Sequence, residues 1–315
     1  MSDSRPTALQ LCPLSPYLEA GLNQRFAVTR WFELSDPDRL IWLKQRAPAV
    51  RAVITGGHVG CANELMEALP SLGIVAINGI GIDKVDLQFA HSRGVRVTTT
   101  PGALTDDVAD LAVGLIISLL RQIPAADAFV RAGEWLKGDR PLARKVSGRR
   151  FGIVGLGLIG SAIAARLAAF GPVAYTGPRR KAVPYAYHAD LIALAGISDV
   201  LILTCPANAS TRRLVTAKVI GALGPDGYLI NVARGSIVDE AGLVTALAEG
   251  RLAGAALDVF EDEPHVPAAL RESTKVVLTP HTASATVETR TRMADLVLEN
   301  LDAYLTGGPF PNPAA

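Results

Sequence analysis

Phe151-Gly152-Ile153-Val154-Gly155-Leu156-Gly157-Leu158-Ile159-Gly160 is the stretch on which the fold turns. A short apolar run leads directly into Gly-x-Gly-x-x-Gly. Positions rich in Ala, Ile and Leu follow as far as Phe170. The run reads as a buried strand, and residues 160–170 read as a helix. In that setting Gly155 permits a tight turn, Gly157 leaves the backbone open to a pyrophosphate, and Gly160 lets helix and strand pack closely. The helix N-terminus adds free N–H groups and the positive end of its dipole. A purely structural turn is the alternative, and the strand before and helix after weigh against it.

Outward from this turn, short runs rich in Val and Ile alternate with helix-length segments. On the N-terminal side the strands are expected at Ala8–Cys12, Phe26–Thr29, Ala52–Thr55, Ile74–Ile77 and Val95–Thr98. From the turn onward they are expected at Phe151–Val154, Val173–Thr176, Val200–Thr204, Gly227–Val232, Gly254–Asp258 and Val276–Leu278. Continuous apolar runs suit parallel strands covered on both faces. Strand–helix–strand alternation implies an α/β fold with right-handed crossovers. A long helical stretch, Asp106 to Arg131, separates the two series and should kink or break at Pro124. The end of the chain, from Ala285 to Leu305, reads as a helix with apolar positions Val287, Met293, Leu296, Leu301 and Tyr304. The tail from Gly307 is expected to be loose.

The second strand after the turn ends in Tyr175-Thr176-Gly177-Pro178-Arg179-Arg180-Lys181. An NAD site places Asp or Glu about 20 residues beyond the glycines, on the ribose 2′-hydroxyl. Here there is no acid, and three cations stand together. Arginine binds a 2′-phosphate in bidentate fashion, so NADP(H) is preferred, with NAD(H) as the alternative. A solvated basic loop is the plainer explanation of the same residues.

Three later segments each carry an ionisable residue just past a strand: Asn231-Val232-Ala233-Arg234-Gly235, Leu257-Asp258 through Glu263-Pro264, and Thr279-Pro280-His281. Ligands of open α/β sheets bind at the carboxyl ends of the strands. Reduction of a 2-keto acid needs a cation for the carboxylate, a proton for the carbonyl oxygen, and a hydride. Arg234 suits the first need and His281 the second. Glu263 would orient the imidazole and favour its charged form. Taken singly, each is explained as well by a cap, a solvated acid or a turn histidine. All three downstream of a dinucleotide turn are not.

The 315 residues are too many for one ordinary core and fit two domains. With 49% hydrophobic and 19% charged residues the chain can bury large cores. A net charge of +1 advertises neither nucleic acid nor an anionic membrane as a partner. Cys12, Cys61 and Cys205 form no metal-ligand spacing and no even disulfide set, so no metal is expected and a reducing cytoplasm is the simple reading. Met1 to Ala20 has no signal-peptide pattern, and Leu111 to Leu120 is too short to span a bilayer, so a soluble, unprocessed protein is expected.

Taken together, the glycine turn, Asn231–Gly235, Leu257–Pro264 and Pro280-His281 resemble the signature set of the D-isomer-specific 2-hydroxyacid dehydrogenases. Asn78-Gly79-Ile80-Gly81-Ile82-Asp83 resembles that family's substrate loop. Thr100-Pro101-Gly102 through Asp110 resembles its interdomain helix start. Arg131–Trp135 and Lys145–Gly148 are similar to the glyoxylate/hydroxypyruvate and hydroxyphenylpyruvate reductase branch.

The resemblance implies two flavodoxin- or Rossmann-like doubly wound parallel-sheet domains with a cleft between them. A discontinuous substrate domain would span 1–100 plus 285–315, and a dinucleotide domain 101–284. It implies Arg234, Glu263 and His281 as the catalytic set, and substrate held by Arg234, His281 and the Asn78-Gly79-Ile80 loop, through the Gly79 and Ile80 amides. Around the cofactor it implies Thr105, Gly155, Gly157, Leu158, Ile159, Gly160, Gly177, Arg179, Arg180, Cys205, Pro206 and Thr211. Val232, Ala233, Arg234, Asp258 and His281 would lie at its nicotinamide end. A homodimer with the long helical stretch at its interface is implied as well. Leu158 departs from the Arg or Lys often found there, which places more weight on Arg179 and Arg180. Glutamate rather than glutamine at 263 argues against a formate dehydrogenase.

The expectation is therefore NADPH-preferring reduction of glyoxylate or hydroxypyruvate. The alternatives are reduction of bulkier 2-keto acids such as phenylpyruvates or 2-ketogluconate, and a dinucleotide-sensing scaffold of the corepressor kind.

Overall fold

Runs of Val, Ile and Leu without polar alternation form strands whose residues are almost all buried, as at Phe151–Val154, Val200–Leu203 and Tyr228–Asn231. The computed structural model describes residues 4–314. Two compact units are present: the chain up to Leu104 together with the segment from Ala285, and Thr105–Ser284.

The first unit contains β1 (Thr7–Gln10), α1 (Pro16–Arg25), β2 (Ala27–Arg30), α2 (Asp36–Arg46), β3 (Val50–Gly56), α3 (Asn63–Glu67), β4 (Ile74–Asn78), α4 (Leu87–Ser92) and β5 (Arg96–Thr98). The second contains α5 (Thr105–Arg121), α6 (Ile123–Arg131), β6 (Phe151–Val154), α7 (Leu158–Leu167), β7 (Val173–Thr176), β8 (Ala186–Tyr187), α8 (Leu191–Ile197) and β9 (Val200–Leu203). It continues with α9 (Ala217–Leu223), β10 (Tyr228–Asn231), α10 (Glu240–Ala248), β11 (Gly254–Leu257), α11 (Ala268–Arg271) and β12 (Val276–Leu278). Finally α12 (Val287–Thr306) returns to the first unit.

All pairings between these strands are parallel. The first sheet has the order β2-β1-β3-β4-β5, the flavodoxin arrangement. Alternate residues of its strands face two different cores. Ala8, Ala52, Ile54, Ile74 and Ala76 pack against α1 and α12 through Leu18, Leu22, Ala294, Val297 and Leu301. Leu9, Val53, Val75, Ile77 and Val97 pack on the other side with Met66, Leu69 and Ala90. The second sheet has the order β12-β11-β10-β9-β6-β7-β8. Numbered within the unit this is 7-6-5-4-1-2-3, the dinucleotide-binding order with one strand added.

Caps account for several helix starts. Ser15 accepts from Leu18 N–H with Pro16 behind it, Asp190 accepts from Ala193 N–H, and Thr286 accepts from Thr289 N–H.

Three expectations are corrected. The long helical stretch does not break at Pro124. It breaks at Gln122, which takes a left-handed conformation (φ 52°), and the axes of α5 and α6 differ by 59°. Pro124 lacks an N–H and would crowd the carbonyl of Leu120 in a continuous helix, so it sits in the first turn of a new one. Val287 is not part of the apolar stripe of α12; it is 80% exposed in the first turn. The tail is not loose. Thr99 N–H donates to Asn312 O and Ala314 N–H to Val97 O, so the chain end adds an antiparallel bridge to the open edge of β5. Strand β8, only two residues long, has no periodicity to read and was not expected from the sequence.

Candidate active site

The carboxyl ends of the second unit's strands lie in one row. Thr176, Val154, Leu203, Asn231, Leu257 and Leu278 are successive partners across β7, β6, β9, β10, β11 and β12. One residue further on, the chain enters the glycine turn, the Thr204-Cys205-Pro206 loop, the Arg234 loop, the Glu263 loop and the His281 loop. All five therefore open from the same edge of the sheet.

In the glycine turn the three glycines do different work. Gly155 has φ +96°, and a Cβ there would lie 2.7 Å from Cys205 Cα. A Cβ on Gly160 would lie 2.1 Å from Gly155 O, so α7 rests directly on the turn. A Cβ on Gly157 would meet nothing within 4 Å, and no side chain caps α7. An anion can therefore approach the bare N-terminus of a helix at the one glycine whose surroundings are open.

A cavity of about 530 Å³ begins at this turn. Gly155, Gly157, Gly177, Arg179, Cys205, Pro206 and Thr211, all singled out from the sequence, line it. Thr211 is fixed there by donating to Pro206 O at 2.7 Å. Arg180 does not line the cavity, whereas Lys181 does. The reason is Tyr175: its buried hydroxyl accepts from Lys181 N–H at 2.7 Å and turns the loop so that Lys181 Nζ reaches Leu156 O beside the glycines. Asn208 and Ser210 also line the cavity and were not singled out from sequence. Leu158 is exposed on the first turn of α7, followed by the half-buried Ile159 and the buried Gly160; none of the three lines the cavity. Thr105 opens α5, also away from the lining. Burial raises the Cys205 thiol to about 11, so it is a neutral wall group rather than a nucleophile.

At the other end of the row, His281 Nδ1 and Glu263 Oε2 are 2.7 Å apart. Glu263 Oε1 accepts from Phe260 N–H at 3.0 Å. Burial pushes the Glu263 carboxyl up, but the hydrogen bonds from His281 and Phe260 N–H and the charges of His281 and Arg234 outweigh it and hold it below the ordinary value. An ionised carboxylate only accepts, so the shared proton resides on Nδ1 and leaves Nε2 as the working nitrogen. The two side chains remain 34% and 28% exposed, open to a small solute.

Supporting residues hold this pair in place, and sequence reasoning gave them little or no such role. His281 has φ 52°, an unfavourable conformation for a bulky residue. It is held by N–H donation to Asp258 O at 2.8 Å. The Asp258 carboxylate, fully buried, accepts from Thr279 Oγ1 (2.6 Å), Thr282 N–H (2.8 Å) and Ala283 N–H (3.0 Å). It thus ties the His281 loop to β11. Asn231 does the same for the Arg234 loop, donating to Arg234 O at 2.9 Å and accepting from Ala233 N–H at 3.0 Å. Gly235 lets that loop touch the next one: a Cβ there would fall 1.9 Å from the Phe260 carbonyl carbon. Val232 and Ala233 are buried in the same turn. The sequence signal for Asn231 and Asp258 was a polar residue at the end of a fully apolar strand.

In the first unit, Asn78, Gly79 and Ile80 follow β4, and Gly79 O accepts from Thr100 N–H at 2.9 Å. The loop after β3 comes close to it, since a Cβ on Gly57 would lie 2.9 Å from Gly81 O.

A sequence profile of the "D-isomer specific 2-hydroxyacid dehydrogenase, NAD binding domain" matches residues 113–283. The chain belongs to the D-isomer-specific 2-hydroxyacid dehydrogenase family. It is 48% identical over 307 residues to a hydroxyphenylpyruvate reductase of Plectranthus scutellarioides, covering 97% of both chains. It is 44% identical over 312 residues to a 2-ketogluconate reductase of Gluconobacter oxydans, covering 98% of this chain and 99% of the other. Among solved structures, an NADPH-dependent glyoxylate/hydroxypyruvate reductase of Sinorhizobium meliloti, in complex with NADP and malonate, superposes with a TM-score of 0.91. The identity is 42%, with 99% of this chain and 97% of the other covered. The protein is accordingly a nicotinamide-dinucleotide-dependent oxidoreductase of this family, in the branch that contains the glyoxylate/hydroxypyruvate reductases.

Proposed function

We propose that the protein reduces small 2-keto acids, glyoxylate and hydroxypyruvate, to the corresponding D-hydroxy acids with NADPH as the preferred reductant. The observation that carries this reading is the His281–Glu263 pair, 2.7 Å apart at the same sheet edge as the glycine turn. The bound dinucleotide supplies the hydride. Arg234 donates hydrogen bonds to the substrate carboxylate and polarises the carbonyl. His281 Nε2 gives its proton to the carbonyl oxygen as that oxygen gains charge, and Glu263 stabilises the imidazolium before transfer. In the oxidative direction the same nitrogen removes the proton. The reading requires the Asn78-Gly79-Ile80 loop of the first unit to offer its amides to the same carboxylate during turnover. It also assigns the first unit to substrate and the second to dinucleotide.

Preference for NADPH is supported by the absence of an acid after β7, by exposed Arg179, and by Lys181 on the cavity wall. The Sinorhizobium relative holds NADP. A second reading, reduction of bulkier 2-keto acids, is favoured by the names of the hydroxyphenylpyruvate and 2-ketogluconate reductases. A homodimer through residues 121–145 is supported by Leu136 and Leu142, each 95% exposed, and by the exposed Trp135. Sedimentation at the mass of one chain would reject the dimer.

The experiment is to follow oxidation of NADPH and NADH with glyoxylate, hydroxypyruvate, phenylpyruvate and 2-ketogluconate. Fast oxidation of NADPH by the first two supports the proposal. Turnover of the bulky acids alone moves the reading to the second, and no turnover with tight dinucleotide binding moves it to a scaffold. Arg179→Ala and Lys181→Ala should each raise the KM for NADPH while leaving that for NADH within about twofold, since both lose a contact worth roughly 1–3 kcal/mol to a charged group.

A further inference from the structure

Residues 177–185 leave the carboxyl end of β7 and return as β8, a strand of two residues at the edge of the second sheet. They carry three consecutive cations, Arg179, Arg180 and Lys181, and no acid. Like charges side by side repel one another, and long cationic side chains have much rotamer freedom to lose. Among the described residues Arg179 and Arg180 make no ion pair and no side-chain hydrogen bond. Yet Arg179 lines the dinucleotide cavity and Arg180 does not. The direction in which the backbone presents them is therefore fixed by something other than the arginines.

Two tyrosine hydroxyls fix it, one at each end of the loop. Tyr187 of β8 donates to Gly177 O at 3.1 Å. Tyr175 of β7 accepts from Lys181 N–H at 2.7 Å, and Lys181 O, 3.5 Å away, receives the hydroxyl proton. The two tyrosines are register partners in the parallel pairing of β7 with β8, so their side chains leave the same face of the sheet. Their ring centroids stand 5.3 Å apart, with the planes tilted by 50°. Tyr175 is fully buried and Tyr187 half-buried. His188 N–H continues the pairing by donating to Tyr175 O at 2.9 Å. A third tether, Lys181 Nζ to Leu156 O, ties the far end of the loop to the glycine turn. Only Pro178, Arg179 and Arg180 lie between the held ends. Tyr187 itself does not line the cavity, so any effect it has on a dinucleotide passes through the loop. Two residues add little to a sheet of seven strands; what β8 does is place Tyr187.

We propose that Tyr187 is a positioning residue for the 2′-phosphate of the cofactor: with Tyr175 it clamps the loop at both ends, so that Arg179 faces the cavity before a dinucleotide arrives. The inference rests on the NADPH reading proposed above and extends it from the cations to the frame that aims them. A loop ordered in advance loses less conformational entropy on binding. NADH carries a hydroxyl where NADPH carries the phosphate and draws little from Arg179. Loosening the loop therefore weakens NADPH selectively.

The test measures dissociation constants for NADPH and NADH by fluorescence titration in the wild-type protein, Tyr187→Phe, Arg179→Ala and the double variant. Phenylalanine keeps the ring against Tyr175 and removes only the hydroxyl. Tyr187→Phe should weaken NADPH roughly threefold to tenfold, the loss of one neutral hydrogen bond, and leave NADH within about twofold. A residue that acts through Arg179 adds nothing once Arg179 is gone. The double variant should therefore bind NADPH within about twofold of Arg179→Ala alone. Tyr175→Phe frees the other end of the loop and should lower the preference for NADPH in the same direction. Equal weakening of both cofactors, an unchanged NADPH constant, or losses that simply add in the double variant overturn the assignment. A wild-type protein that binds NADPH no tighter than NADH removes the NADPH reading and this inference with it. A wild-type preference for NADPH that survives Tyr187→Phe removes the inference alone.

Discussion

At the residue scale, the chemistry rests on one nitrogen. His281 Nδ1 is engaged by Glu263, so only Nε2 is available to a substrate. Replacing His281 with Gln keeps a hydrogen-bonding side chain and removes the titratable proton. It should lower kcat by roughly 10²–10⁴-fold, the usual contribution of a placed acid, while dinucleotide affinity measured by fluorescence titration stays within about twofold. A kcat within tenfold of wild type would take the proton away from His281. Glu263 gives a second, independent test through stability. Its carboxyl titrates lower in the folded chain than in the unfolded one. The stabilisation it provides is therefore complete above the ordinary glutamate range, near pH 4.3, and is lost as pH falls through the depressed folded value. Glu263→Gln has no such dependence. Denaturant unfolding should show the gap between wild type and variant widest at pH 7 and narrowing below about pH 4. A gap that grows on acidification would mean that the carboxylate is not stabilised by its partners.

At the scale of single elements, the glycine turn was fully legible because its three constraints are steric and leave an alphabet of one residue. Gly160→Ala should test the tightest of them. The new Cβ would meet Gly155 O at 2.1 Å, so α7 must move off the turn. Overpacking of this kind costs about 1–3 kcal/mol. The variant should show a lower melting temperature and a raised KM for the dinucleotide, with kcat at saturation much less affected. An unchanged KM would mean that α7 does not set the phosphate site.

Lys181 was less legible. It stood in a cluster of three cations, and nothing in the local sequence says that the Tyr175 hydroxyl, six residues earlier, selects it over Arg180. The break in the long helix was legible from Pro124 and lies two residues before it, because the proline crowds the carbonyl of Leu120. The pairing of the tail with β5 was missed because it depends on a partner supplied by the fold, an open strand edge. Asn231 and Asp258 stood in the motifs, but their work is in hydrogen bonds, Asn231 to the loop that follows its own strand and Asp258 to the loop of the neighbouring strand, which no spacing reveals.

At the scale of the whole molecule, the two units differ in how the chain builds them. The second is one continuous segment with its own core, in which Leu201, Leu203 and Leu229 pack with Leu243, Leu247 and Leu257. The first is assembled from two segments far apart in sequence, and α12 covers one face of its sheet through Ala294, Val297 and Leu301. Without α12, the part of that face that α1 does not cover, Ile74 and Ala76 of β4 among it, would face water. Full burial of a Val or Leu side chain is worth about 1.5–3 kcal/mol, so Val297 and Leu301 together supply roughly 3–6 kcal/mol. A domain's entire stability is only about 5–15 kcal/mol, so the loss is large enough to decide whether the unit folds. A fragment of residues 105–284 should therefore unfold cooperatively and bind NADPH. Residues 1–104 alone should lack a cooperative transition and regain it when a peptide of residues 285–315 is added. Independent folding of 1–104 would mean that α12 is an accessory to the first sheet and not part of its core.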